Sequence, residues 1–278
     1  MIKRILVGLG GTPYTTVAIQ RAVQLAKRFD AEITGVTVLD IDRLTKVGLG
    51  REETIPAAMH RVALTRDRIE KAISEFESAC AAEGIKYQVK QEEKEASFDL
   101  MISFARYHDL MIFGLRSIFE YNVSIVDLSI EEPKDTLARL IAAGVRPIIA
   151  VSDTFRSIQK VVIAYSGSME SAKTMKRFVQ LRLWPDAKLK IVTFQSSEEK
   201  AQQLLYDASE YCRAHGYSVV SESNPGSPKD FLLPIATYWQ ADMIVLGNSA
   251  RNLLVKRVLG ETALHIIRNA DRPLFLCQ

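Results

Sequence analysis

Cysteine is scarce in this chain: three residues in 278, Cys80, Cys212 and Cys277, far apart and without a CxxC pair. That pattern argues against a disulfide scaffold, a secreted protein and a cysteine-built zinc site. The four histidines, His60, His108, His215 and His265, have no pairwise metal spacing. They read as surface or partly buried side chains, and no metal is expected. Charge of one sign is lacking too. With 36 basic against 33 acidic side chains the formal charge is +3, too small for the broad basic face of a nucleic-acid binder. No apolar run approaches the ~18–20 residues that cross a bilayer. The opening MIKRILVGLGGT reads as a buried strand and a glycine turn, without a signal-peptide core or cleavage site. What is present is a globular balance of 47% hydrophobic and 25% charged residues. A cytoplasmic α/β protein with room for two domains is expected, binding neither nucleic acid nor membrane.

The chain contains one unit twice. IKRILVGLGGT (2–12) matches IQKVVIAYSGS (158–168), ESACAAEGIKY (77–87) matches SEYCRAHGYSV (209–219), DLMIFG (109–114) matches DMIVLG (242–247), and RPIIAV (146–151) matches RPLFLC (272–277). The shift falls from 156 to 132, 133 and 126, so insertions lie between elements, as expected of loops. A boundary near Ser152–Ser157 gives domains 1–152 and 153–278. The first carries 20 basic and 21 acidic side chains, the second 16 and 12. The charge excess thus belongs to the second half.

Each half alternates strand and helix. In the first, strands are predicted over 3–9, 32–39, 85–91, 109–114 and 147–151, and helices over 14–29, 55–83, 96–107 and 133–143. Ala18, Ala22, Leu25 and Ala26 form the inner face of the first helix. Ile55, Met59, Val62, Ile69, Ile73, Phe76 and Cys80 form that of the second, with Arg66 interrupting the series. In the second half strands fall at 159–165, 187–194, 217–222, 242–247 and 273–277, and helices at 169–181, 197–215, 228–239 and 258–270. Strands apolar on both faces, separated by helices, predict a five-stranded parallel sheet in each half with helices on both sides. A ligand then belongs beyond the carboxyl ends of the strands, at the turn after strand one and the loop after strand four. The closing strands 147–151 and 273–277 are nearly alike and would leave apolar edges unless paired. They are predicted to pair with each other in an intramolecular, dimer-like arrangement, with homodimerisation as a second layer.

The loops after strand four differ between halves. The second runs from Gly247 through Ala250, Arg251, Lys256, Arg257, Gly260, Glu261 and Thr262; the first has no glycine between Gly114 and Gly144 and no such basic trio. Together with the Gly167-Ser168 turn and the closing IIRNADRPLFLC, these residues resemble the universal stress protein (UspA-like) family in tandem form. The resemblance implies two Rossmann-like domains of the adenine-nucleotide α-hydrolase kind and a role in the stress response through binding. It also implies an ATP or other adenine-nucleotide site. The family motif is G-x-x-G, nine residues, then G-[ST]. Here Gly247, the spacing 251–259 and Gly260 match, while Ala250 replaces the second glycine and Glu261 the hydroxyl residue. An acidic family residue after strand one is Ser166 here, and Gly10 in the first half.

Helix N-termini offer unpaired N–H groups to phosphate, and glycine permits close approach. Phosphate is therefore expected at Gly260–Thr262, with Arg251 or Arg257 reaching it and adenine near Tyr165, Ser166 and Gly167. Glu261 opposes this by charge repulsion, unless a neighbouring cation pairs with it. Gly247 and Gly260 also fit simple turn and helix-entry roles, and Glu261 suits the first turn of a helix for its own sake. Two other readings stay open. One is a nucleotide-free interaction or ligand-binding module using the long 115–132 segment. The other is an enzyme, since Ser166-Gly-Ser-Met-Glu-Ser171 looks like the SGGxDS loop of ATP pyrophosphatases. No Ser-His-Asp set or paired carboxylates support turnover.

Overall fold

The structure, a computed structural model, describes residues 1–38, 55–92, 97–115, 147–247 and 261–277. It divides into two compact units, Met1–Val145 and Arg146–Gln278. In the first unit the order is β1 (Arg4–Gly8), α1 (Thr15–Phe29), β2 (Glu32–Val38), α2 (Ile55–Ala82), β3 (Tyr87–Glu92), α3 (Ser97–Ala105) and β4 (Leu110–Gly114). The strands lie in the order β3-β2-β1-β4, all parallel. The second unit runs β5 (Ile148–Val151), β6 (Lys160–Ala164), α4 (Met169–Leu181), β7 (Lys188–Thr193), α5 (Glu198–Ala214), β8 (Val219–Ser223), α6 (Pro228–Tyr238), β9 (Met243–Gly247), α7 (Glu261–Asn269) and β10 (Leu274–Cys277). Its order is β5-β10-β9-β6-β7-β8. The run β8-β7-β6-β9 thus repeats β3-β2-β1-β4, which is the duplicated sequence expressed as topology.

Right-handed crossovers place the helices after the first and second strands on one face, and the helix after the third on the other. The packing agrees: Gly35 of β2 faces Phe76 of α2 so closely that a Cβ would stand 2.9 Å from the ring. On the opposite side of the other sheet, α6 packs with α7. The predicted inner face of α1 is buried at Ala18, Ala22, Leu25 and Ala26. For α2 the prediction needs correction. Met59 is exposed, and the buried stripe is Val62, Thr65, Ile69, Ala72, Phe76 and Cys80. Thr65, not Arg66, holds the 3.6-residue period, because a hydroxyl can be buried where a guanidinium would be costly. The two edge strands start two residues later than predicted, at Tyr87 and Val219. The predicted helix 133–143 lies outside the described residues.

The closing strands pair as expected. β10 runs antiparallel to β5, with Leu274 opposite Ala150, Phe275 opposite Ile149 and Leu276 opposite Ile148. All eight of their residues are buried. Residues 147–151 were predicted as the closing strand of the first half; the compact-unit division counts them with the second unit, where β5 runs antiparallel to β10. The compact-unit division at Val145/Arg146 and the repeat boundary near Ser152 therefore differ by one strand.

Candidate functional site

At the carboxyl end of β6 the chain turns through Tyr165, Ser166 and Gly167 into α4. Gly167 has φ +78°, a left-handed conformation that glycine adopts without strain. Ser168 is the N-cap of α4, its Oγ accepting from the Ser171 backbone N–H at 3.2 Å. Ser166 Oγ lies 3.1 Å from Ser168 Oγ and 3.2 Å from Ser171 Oγ, and the last two are 3.4 Å apart. The Ser168 backbone N–H also donates to Ser166 Oγ, and Gln195 Nε2 donates to the Ser166 carbonyl. Three hydroxyls thus gather at the positive end of a 13-residue helix.

Gly247, at the end of β9, abuts the same turn. A Cβ there would stand 3.0 Å from Ser171 Cα and 3.1 Å from the Glu170 carbonyl oxygen, so close packing explains this glycine whatever the ligand. Thr174 Oγ1 bridges the Glu170 and Cys277 carbonyls at 2.8 and 2.7 Å, tying α4 to the end of β10. Tyr165 is half-buried. Burial raises its phenol pKa above the ordinary value, and the charge of Asp207 on α5 adds to this. Glu261 and Thr262 open α7, the first exposed and the second half-buried. Among the described residues Glu261 has no hydrogen-bond or ion-pair partner. The structure therefore brings Ser166, Gly167 and Gly247 together around the first turn of α4. Ala250, Arg251, Lys256, Arg257 and Gly260 lie outside the described residues.

Ser168 and Ser171 are functional candidates that the nucleotide motif missed. Their signal is present in the sequence as S-x-x-S after a strand, an N-cap spacing, in the stretch that supplies both the family's glycine-serine turn and the likeness to the pyrophosphatase loop. The first unit builds the corresponding turn from Gly10, Gly11, Thr12 and Thr15. Thr12 N–H donates to Thr15 Oγ1 at 2.9 Å, and the two hydroxyls are 3.3 Å apart. Gly11 has φ +62° and is pressed against α2, where a Cβ would stand 2.7 Å from Arg68 Cβ and 2.9 Å from its carbonyl carbon. At Gly167 the nearest neighbour is instead the end of the Leu204 side chain. At its left-handed glycine the first turn thus packs against helix backbone, and the second against a movable side chain.

Burial pushes the Cys80 thiol up to about 11 and the Cys212 thiol up to about 12, so both remain neutral and poorly nucleophilic near neutral pH. Among the described residues no group of three or more His, Cys, Asp or Glu side chains is placed to hold a metal ion. None of their helices is long and apolar enough to cross a membrane.

The sequence profile of the universal stress protein family matches residues 1–110 and 193–278. The chain belongs to the universal stress protein family. Within that family's known structures, a universal stress protein from Archaeoglobus fulgidus DSM 4304 superposes with a TM-score of 0.68 at 17% identity, covering 99% of this chain and 98% of that one. A protein of unknown function from Pseudomonas aeruginosa PAO1, PA1789, gives 0.60 at 17% identity, over 99% and 92%. Both likenesses establish the two-unit fold. Universal stress protein Slr1230 of Synechocystis sp. is 22% identical over 140 residues, 50% of this chain. The match spans about half the length of that curated relative, 49%.

Proposed function

We propose that this universal stress protein acts by binding rather than turnover, and that its second unit holds ATP or another adenine nucleotide at the mouth between α4 and α7. The observation that carries this reading is the difference between the two turns after the first strands. The second presents the Ser166, Ser168 and Ser171 hydroxyls at a helix N-terminus and meets a movable Leu204 side chain at Gly167, whereas the first packs Gly11 against the backbone of α2 at Arg68. Phosphate belongs at Gly260–Thr262, the helix entry of the family motif, with Arg251 or Arg257 reaching it and the adenine near Tyr165–Gly167. The exposed carboxylate of Glu261 weakens the site, since two like charges ~4 Å apart repel by about 1–4 kcal/mol depending on the local dielectric.

Calorimetric titration with ATP tests the proposal. Glu261→Ser removes the repulsion and is expected to tighten binding by ~1–2 kcal/mol, about five- to thirty-fold. Absence of binding by both proteins, together with no thermal shift at millimolar ATP, gives the site to the second reading, a nucleotide-free interaction module. One observation favours that second reading: the Glu261 carboxylate, without a partner among the described residues, stands in the first turn of α7, where a phosphate would lie. ATP hydrolysis is expected at background. Turnover of ~1 per second or more, lost in Ser166→Ala, would instead establish the pyrophosphatase-like enzyme.

A further inference from the structure

The join between α3 and β4 in the first unit is closed by an imidazole. His108 is half-buried. Its Nδ1 lies 2.7 Å from the Phe104 carbonyl in the last turn of α3, and its Nε2 lies 2.9 Å from Thr34 Oγ1 on β2. Thr34 is 1% exposed and accepts from Gln88 Nε2 on β3 at 3.0 Å. One ring thus ties α3 to β2 and, through Thr34, to β3. A carbonyl only accepts, so Nδ1 carries the proton and Nε2 accepts from the Thr34 hydroxyl. This arrangement requires the neutral ring. A proton on Nε2 removes the one acceptor that the Thr34 hydroxyl has among the described residues, and it places a cation where little water reaches.

The charged groups around the ring are poorly placed to receive that cation. Arg4 on β1 repels it. Glu32 on β2 and Asp109 ahead of β4 attract it, but both carboxylates already accept other donors, Glu32 from Arg4 Nε at 2.6 Å and Asp109 from the Lys3 and Arg4 backbone N–H groups. Arg4 Nη1 also donates to the Tyr107 carbonyl at 3.1 Å, so the guanidinium sits against the join itself. On β3, Lys90 shares the face of Gln88, and Lys86 precedes the strand; both are exposed, as is Arg106 after α3.

The second unit fastens the same join with different groups. At the repeat shifts Ala241 stands in place of His108 and Lys190 in place of Thr34, and Val220, the register partner of Lys190, stands in place of Gln88. The join from α6 to β9 is held by Arg272. Its Nη1 donates to the Ala236 and Ala241 carbonyls and its Nη2 to Thr237 Oγ1, all at 2.9 Å. A guanidinium keeps its charge in the range where an imidazole titrates.

We propose that His108 is an acid-operated latch: its protonation frees the α3–β4 join of the first unit from β2 and β3 and uncovers Thr34 and Gln88, while the second unit stays closed. The latched ring holds a proton less readily than a free one. The closed form is therefore fully favoured above about pH 6.5, and the open fraction grows as pH falls below that value.

Hydrogen–deuterium exchange on the full chain, corrected for the intrinsic pH dependence of exchange, tests the latch. Between pH 7.5 and 5, protection of residues 86–92 and 101–110 is expected to fall by about tenfold or more, while 217–223 and 234–243 keep theirs. His108→Gln, which cannot titrate, is expected to show no such dependence. If that variant is open at both pH values, the wild-type ring decides: with falling pH, the gain in exchange must level off where NMR shows the His108 imidazole to titrate. Protection unchanged down to pH 5, an equal loss in the second unit, a loss that persists in His108→Gln, or a plateau unrelated to the imidazole titration overturns the proposal.

Discussion

One residue ahead of β4 and one residue ahead of β9, an aspartate performs the same task in each unit. Asp109 Oδ2 accepts from the Lys3 and Arg4 backbone N–H groups at 2.8 and 3.1 Å, and Asp242 Oδ2 from those of Gln159 and Lys160 at 2.8 Å each. Both satisfy donors at the open start of the first strand. Asp242→Ala is expected to cost about 1.5–3 kcal/mol, the range for hydrogen bonds to a charged group, read by urea denaturation; Asp242→Asn should recover part of the loss. The sequence showed the shared aspartate in DLMIFG and DMIVLG but not its partners, which lie 82–106 residues away. Such distant backbone donors leave no local spacing to read. His108 is a second case. Gln88 Nε2 donates to Thr34 Oγ1 at 3.0 Å, Thr34 Oγ1 lies 2.9 Å from His108 Nε2, and His108 Nδ1 lies 2.7 Å from the Phe104 carbonyl. The carbonyl can only accept, so Nδ1 carries the proton and Nε2 accepts from Thr34. Burial first, and Arg4 further, hold the His108 pKa below its ordinary value, against the Phe104 carbonyl, Glu32 and Asp109, which favour the cation. The unfolded chain therefore binds the proton more readily. The stability from neutral His108 is complete above the unfolded value of about 6.5 and is lost as pH falls from there toward the lower folded value. Denaturant midpoints at pH 7.5 and 5 should fall more steeply in wild type than in His108→Gln; equal slopes would place the acid sensitivity elsewhere.

Helix and strand identities were legible because the apolar period is strong, and local caps are legible too, whereas an end held by a distant residue is not. α4, α5 and α6 each begin on a serine whose Oγ accepts from a backbone N–H two or three residues on: Ser168, Ser197 and Ser227. These N-caps follow directly from residue type and position. The end of α6 depends on a long-range partner. Arg272 is 4% exposed, and its Nη1 donates to the Ala236 and Ala241 carbonyls at 2.9 Å each. Its Nη2 reaches Thr237 Oγ1, and Asp271 takes two further bonds. The hydrogen bond from Arg272 holds the Asp271 carboxyl below the usual range, and Arg156 adds a contact at 3.6 Å. A buried, fully bonded guanidinium is read in sequence only as one more cation before a proline. Arg272→Met keeps the bulk but removes the guanidinium donor from the Ala241 carbonyl and one of the two donors of the Ala236 carbonyl, which retains the Ala241 N–H, at about 1–3 kcal/mol for a buried group left unsatisfied. Thermal unfolding should show a clear fall in Tm, and Arg272→Lys should recover little of it, because one ammonium cannot span the fork of acceptors.

For the molecule as a whole, the decisive feature is that a strand written at the end of the first repeat pairs antiparallel with the last strand of the second unit. Cutting at the repeat boundary should therefore fail where cutting at the compact-unit boundary succeeds. A fragment 146–278 retains β5 and is expected to be soluble. A fragment 153–278 leaves the edge of β10, Leu-Phe-Leu-Cys, without its partner and is expected to self-associate or aggregate, as seen by size-exclusion chromatography. Equal behaviour of the two fragments would mean that β5 contributes little to that edge. The pairing also has a timetable. β5 leaves the ribosome about 126 residues before β10, which at roughly 5–20 residues per second is a delay of about 6–25 s. Throughout that interval Ile148-Ile149-Ala150-Val151 is a short apolar strand whose antiparallel partner has not been synthesised. The final seam is sewn only once β10 has been synthesised, so nascent chains of this protein should be most vulnerable to chaperone capture and to misassembly with neighbouring nascent chains during translation of the second repeat.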